Sequence, residues 1–151
     1  MNIRYSNYNK SDYEELKDMI YRLYNEDPTG MPITDDKITK TINENTYHPE
    51  KIQIIIMRDI ETVIGYCITT YLWSNEYGGN ILNVDELYIK KEYRNRQMGS
   101  NFMKHILNSN KDAVLYTLEV TPSNKEALKF YEKLGFVVSK NVHMMQINKL
   151  N

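Results

Sequence analysis

The stretch LYIKKEYRNRQMGSNFMKHIL, which starts at Leu87, constrains the fold more than any other part of the chain. An apolar strand runs through a short basic turn directly into an amphipathic helix that begins near Gly99. A helix N-terminus carries unpaired backbone N–H groups and partial positive charge, and a glycine there lets the main chain approach a ligand closely. Lys90, Lys91, Arg94 and Arg96 concentrate around this turn, although the chain as a whole has a formal net charge of −1. The basicity is therefore local, placed where the N–H groups point, and pyrophosphate suits such an environment. A solvated basic turn ahead of an ordinary helix has the same appearance, so the rest of the chain must discriminate between the two.

The remaining elements follow from apolar periodicity. Over residues 9–25, Leu16, Met19, Ile20, Leu23 and Tyr24 recur at spacings of three and four after Ser11 or Asp12 as N-cap, which predicts an amphipathic helix. The run NEDPTGMPITD breaks it and leads to a second helix near 35–45. KIQIIIMRD and VIGYCITTYLW, separated by the polar DIET, predict an antiparallel hairpin, and SNEYGGN turns the chain into a third strand, ILNVDELYI. After the helix that starts at Gly99 come a strand VLYTLEV, a helix over 123–134 and a last strand near 142–147. This order predicts a mixed α/β sheet with helices on both faces.

With 151 residues the chain is expected to form one domain. Its 41% hydrophobic and 26% charged content argues against a disordered chain and against a generally basic nucleic-acid binder. Cys67 is the single cysteine, which excludes an intrachain disulfide, a cysteine zinc cluster and a CxxC redox pair, and points to a reducing, cytoplasmic setting. No run approaches the length needed to span a bilayer and the N-terminal segment lacks an export signal, so neither membrane nor nucleic acid is an expected partner. His48, His105 and His143 show no metal spacing, and no metal is assigned.

Around the basic turn, Arg94, Gln97 and Gly99 fall on the signature of the GNAT superfamily of N-acetyltransferases, which this chain resembles. The signature is Gln or Arg, two residues, Gly, one residue, then Gly or Ala; Gln97 stands where the family usually has its first glycine. A positive φ at Gln97 would strain a residue with a side chain and narrow the approach of the phosphates. A second block, LEVTPSNKEALKFYEKLGF over 118–136, is similar to the family's later motif through Asn124, Ala127, Tyr131, Leu134, Gly135 and Phe136. The resemblance implies one acetyltransferase domain over 1–151, a mixed, mostly antiparallel sheet of about six or seven strands, and a V-shaped cleft for acetyl-CoA. It further implies that Leu87, Tyr88 and Ile89 pair their backbone with the pantetheine arm. Arg94, Asn95, Arg96, Gln97, Met98, Gly99 and Ser100 would then surround the pyrophosphate, with Asn124 also contributing to the cofactor site.

Acetyl transfer needs a neutral amine, so a base must remove a proton, directly or through water. Glu119, in the LEV of the second block, resembles the base of ribosomal-protein N-terminal acetyltransferases and is narrowly preferred. Glu86, in VDELYI, is the alternative, as in polyamine acetyltransferase relatives; regular strand alternation would turn Asp85 to the opposite side. Tyr131 matches the family's acid, which protonates the departing thiolate. Trp73, Glu76, Tyr77, Glu26 and Asp27 are candidates for an acceptor pocket, where acidic and aromatic groups would attract a cationic amine. The expected reaction is direct attack on acetyl-CoA by a peptide or protein amine, a polyamine or another small amine, and a homodimer is compatible with it. The alternative is a non-catalytic CoA-binding regulatory or interaction module; a nucleotide-binding domain ranks last, because the first strand carries no Walker-type loop.

Overall fold

The computed structural model describes residues 1–28 and 30–148. They fall into two compact units, Met1–Thr121 and a second that begins at Pro122. The first holds a five-stranded sheet in the order β1-β2-β3-β4-β5. Its strands are β1 (Ile3–Asn7), β2 (Ile52–Asp59), β3 (Thr62–Ser74), β4 (Gly79–Ile89) and β5 (Leu115–Leu118), and its helices are α1 (Tyr13–Glu26), α2 (Asp35–Tyr47) and α3 (Met98–Ser109). β1 through β4 pair antiparallel with their neighbours, and β5 joins β4 in parallel. Among the described residues no helix is long and apolar enough to cross a membrane.

Alternation along the strands sorts their side chains onto two layers. On one face Ile54, Ile56, Tyr66, Ile68 and Tyr88 form a core with Leu16, Met19 and Ile20 of α1 and Ile38 of α2. Each such side chain removed from water contributes roughly 1.5–3 kcal/mol before the entropy of ordering it is subtracted. On the opposite face Tyr5, whose strand partner is Met57, stacks on Phe102 of α3 with ring centroids 5.1 Å apart. The hydroxyl of Tyr116 on β5 donates to the carbonyls of Leu107 and Asn110 at the far end of α3. The sheet thus carries helices on both faces.

Asp12 stands at the N-cap position of α1, one of the two expected, but its side chain makes no cap hydrogen bond to that helix. Asn9 caps a short 3-10 turn, Lys10–Asp12, by accepting from Ser11 N–H, while the Asp12 carboxylate accepts from Asn9 N–H. Asp12 precedes α1 without capping it through its side chain, because its other carboxylate oxygen is buried against Arg58 of β2.

Two corrections concern the strands. β1 was not expected, since IRYSN is short and largely polar and buries little as the edge of the sheet. The last strand expected near 142–147 does not form, which leaves five strands where six or seven were anticipated. Its apolar residues bury little: Val142 is 88% exposed, Met144 88% and Met145 86%. In the second unit the chain forms α4 (Lys125–Lys133) and closes it at Gly135, whose φ of 92° favours glycine.

Candidate active site

The first unit opens along β4. β5 pairs with it only from Ile81 to Val84, and from 85 to 89 the backbone edge of β4 on that side pairs with no strand among the described residues. The register explains where the opening begins. Ile68 pairs with Glu86 but Thr69 pairs with Val84, so Asp85 is an extra residue, a bulge that bends β4 at the point where β5 ends. Leu87, Tyr88 and Ile89 lie on the unpaired length.

Glu86 is the organised carboxylate of this opening. It lies on the α1 face, where its Oε1 accepts from the Tyr24 hydroxyl at 2.9 Å and its Oε2 from the Tyr66 hydroxyl at 2.7 Å. Burial pushes its carboxyl above the usual range, the Tyr66 and Tyr24 hydroxyls pull it partly back, and the charge of Asp85 raises it again. Burial, reinforced by Glu86, also raises both phenols, so they remain protonated donors. Asp85 is raised by burial first and then by the charge of Glu119, which lies just beyond β5 and is exposed. Regular alternation would have set Asp85 and Glu86 apart as opposites; the bulge gives Asp85 an unpaired position instead.

Glu26, at the end of α1, gathers the charges at the far end of β4. It accepts from the Tyr88 hydroxyl at 3.2 Å, pairs with Arg94 at 2.8 Å and stands 3.5 Å from Lys91. Arg94 also donates through Nε to the Ile89 carbonyl at 2.7 Å and lies over the Tyr88 ring. Lys90 pairs with Glu15 at 2.7 Å. Lys90 and Arg94 are therefore tied to α1, while Lys91 and Arg96 are exposed cations of the turn.

The turn has an unusual backbone. Asn95 has a φ of 63° and Gln97 one of 59°, both left-handed without being glycine. Gln97 is the N-cap of α3 and makes no side-chain cap hydrogen bond. The N–H groups of Met98, Gly99 and Ser100 open the helix, and none has a carbonyl four residues back within α3. An extended amide chain that ends in a pyrophosphate fits this arrangement: the free edge of β4 offers backbone partners to the first part and the uncapped helix start offers N–H groups to the second.

In the second unit, Asn124 caps α4, its Oδ1 accepting from Ala127 N–H at 3.1 Å. Tyr131 lies on α4 with its ring edge-on to Phe130 and Phe136 at 4.9 and 5.8 Å. Trp73 and Tyr77 belong to the β3–β4 hairpin at the Gly79 end of the sheet, the opposite end of β4 from its unpaired length, and so does Glu76. Asp27 accepts from the Thr121 hydroxyl at 3.2 Å, which ties the end of α1 to the chain beyond β5. Sequence reading had not singled out Tyr24 as a hydroxyl donor or Tyr66 at all. The nearest signal was the register of Tyr24 with Leu16 and Ile20 on one face of α1.

A family model described as the acetyltransferase (GNAT) family matches residues 17–136. Thialysine N-epsilon-acetyltransferase of Sus scrofa is 31% identical over 75 residues, which cover 48% of this chain and 44% of that protein, so the match spans less than half of the curated relative. Among solved structures, a possible acetyltransferase from Clostridium difficile 630 superposes with a TM-score of 0.81 at 23% identity, over 98% of this chain and 99% of the other. AAC(6')-Iy, in complex with the bisubstrate analogue CoA-S-monomethyl-acetylneamine, superposes with a TM-score of 0.79 at 16% identity, over 98% and 99% of the two chains.

Proposed function

The chain belongs to the acetyltransferase (GNAT) family, and from that premise we propose that it transfers an acetyl group from acetyl-CoA to a primary amine by direct attack. Acetyl-CoA supplies the acetyl group as an activated thioester. The amine nitrogen forms a bond to the carbonyl carbon, the carbon–sulfur bond breaks, and sulfur leaves with its electron pair. One proton leaves the nitrogen for a base and one reaches the thiolate. The observation that supports this chemistry best is Glu86, a carboxylate with a raised pKa gripped by two hydroxyls at the mouth of the β4 opening.

Glu86 is therefore favoured over Glu119 as the base. Glu119 retains a part in the electrostatics, because its charge acts on Asp85. The resemblance assigns Tyr131 the role of acid. The acceptor class is a cationic amine: the curated relative acts on thialysine, and Asp85, Glu86 and Glu119 put electrostatically coupled carboxylates on and just beyond the strands that border the opening. A primary amine arrives as an ammonium, and these carboxylates favour its approach before one of them removes the proton. The chain is read as a single acetyltransferase domain over 1–151.

A second reading, a CoA-binding module without catalysis, draws on Gln97, whose left-handed backbone places a side chain where a glycine would leave room. The two readings separate in one assay. Purified protein is given acetyl-CoA and a panel of lysine analogues, polyamines and aminoglycosides, and thiol release is followed. Amine-dependent release supports the enzyme; binding of acetyl-CoA with no release from any amine supports the module.

A further inference from the structure

We propose that Tyr24 and Tyr66 are positioning residues for Glu86: one hydroxyl from α1 and one from β3 each hold a different carboxylate oxygen, fixing the plane of the base as it takes the amine proton. This rests on the acetyl-transfer reading and adds to it the groups that make Glu86 competent.

The geometry carries the proposal. A carboxylate offers about four lone-pair sites, and two hydroxyl donors leave roughly two of them for a water or the acceptor amine. Tyr66 is fully buried and packed in the sheet core, while Tyr24 lies one turn beyond Ile20 on the helix that packs over that core. Their bonds to Glu86 join parts of the chain 20 and 62 residues apart in sequence, so the carboxylate is held by elements that do not move independently. In the reaction the nitrogen–carbon bond forms, sulfur departs with the carbon–sulfur electron pair, and the proton released from nitrogen is received on a Glu86 oxygen while the tyrosines keep theirs.

The groups that face Glu86 are Tyr24 from α1, Tyr66 from β3 and Asp85 on its own strand; the buried Cys67 thiol of β3 also feels its charge, and Glu119 acts on Asp85. Removing either phenolic donor takes away a bond that favours the charged carboxylate. The Glu86 midpoint then rises, by about one unit for a donor to a charged group.

The test uses Tyr24→Phe and Tyr66→Phe in the full chain with carboxyl-labelled glutamate, Glu86→Gln serving to assign the Glu86 resonance. The first readout is the Glu86 carbon titration, and the second is the pH profile of kcat/KM for amine acetylation. The expected result is a higher titration midpoint in each variant, an acidic limb displaced upward with it, kcat reduced about tenfold, and an unchanged KM for acetyl-CoA. A merely structural role would not move the acidic limb. Tyr24→Phe, which lies outside the sheet core, keeps the test informative if Tyr66→Phe fails to fold. Amine acetylation with wild-type midpoints and limbs in the folded variants overturns the positioning role alone. Raised midpoints in a wild-type background that acetylates no amine overturn the reaction, and the role with it.

Discussion

The wall of the opening at Glu86 and the turn before α3 are built on opposite principles. At Glu86 the backbone bulges and side chains restore order: two hydroxyls hold one carboxylate, and both carboxylate oxygens are engaged. In the turn no set of side chains is organised in this way, and the donors on offer belong to the backbone. Arg94 is tied to Glu26 and to the Ile89 carbonyl, Gln97 caps nothing, and two residues accept left-handed conformations that leave the first N–H groups of α3 uncapped. A site for proton transfer must fix one atom and tune its affinity for a proton. A site for a diphosphate needs an array of aligned donors and is served by main chain. The difference predicts that damage to the wall acts on turnover and damage to the turn acts on binding.

The largest effect should come from Glu86→Gln. Loss of a general base lowers kcat by on the order of 10²–10⁴, with the dissociation constant for acetyl-CoA unchanged, as steady-state kinetics and calorimetry would measure. A parallel loss of acetyl-CoA affinity would break the separation. The same variant has a signature in stability. Because the folded Glu86 carboxyl titrates above its ordinary value, the folded chain keeps a proton in a range where the unfolded chain has lost it. Stability therefore falls as pH rises from the usual carboxylate range through the raised folded value. Urea unfolding across that range should show a flatter dependence for Glu86→Gln than for the wild type.

Gly99→Glu should act on the other side of the comparison. A carboxylate in the first turn of α3 places a like charge and extra bulk at the uncapped N–H groups. Acetyl-CoA should bind roughly tenfold or more weakly, and an unchanged dissociation constant would remove the helix start from the site.

The legibility of the molecule in its sequence follows the same division. Local patterns found α1, the β2–β3–β4 meander and α3, because buried residues recur there with helix or strand periods. They missed β1, whose Arg4, Ser6 and Asn7 give no apolar period. They overstated 142–147, where Val142, Met144 and Met145 suggest a strand but the segment pairs with no strand among the described residues. At the site, Gln97 was legible as a point of strain because a side chain replaces a glycine in a recognisable motif, and its φ is left-handed. The grip on Glu86 was not legible. It depends on a one-residue shift between β3 and β4 and on hydroxyls distant in sequence, and neither leaves a periodic trace.

A smaller effect is expected at Gln97. Left-handed backbone costs a residue with a side chain roughly 1–2 kcal/mol, part of which glycine returns through its freer unfolded chain. Gln97→Gly should stabilise the fold by about 0.5–1 kcal/mol in urea unfolding and tighten acetyl-CoA binding. A loss of stability would mean that the glutamine side chain is itself required by the turn. The smallest effect should come from Glu26→Gln. Its pairs with Arg94 and Lys91 are partly exposed, so the change should cost below about 1 kcal/mol and leave kcat near the wild-type value.

The measurement that tests the account most directly is calorimetric titration of acetyl-CoA into the wild type, Glu86→Gln and Gly99→Glu, with thiol release from an amine panel measured on the same preparations. The account predicts that the wild type binds and turns over, that Glu86→Gln binds equally but has lost turnover, and that Gly99→Glu binds weakly. Equal binding by all three, or a Glu86→Gln variant that acetylates amines at the wild-type rate, would contradict it.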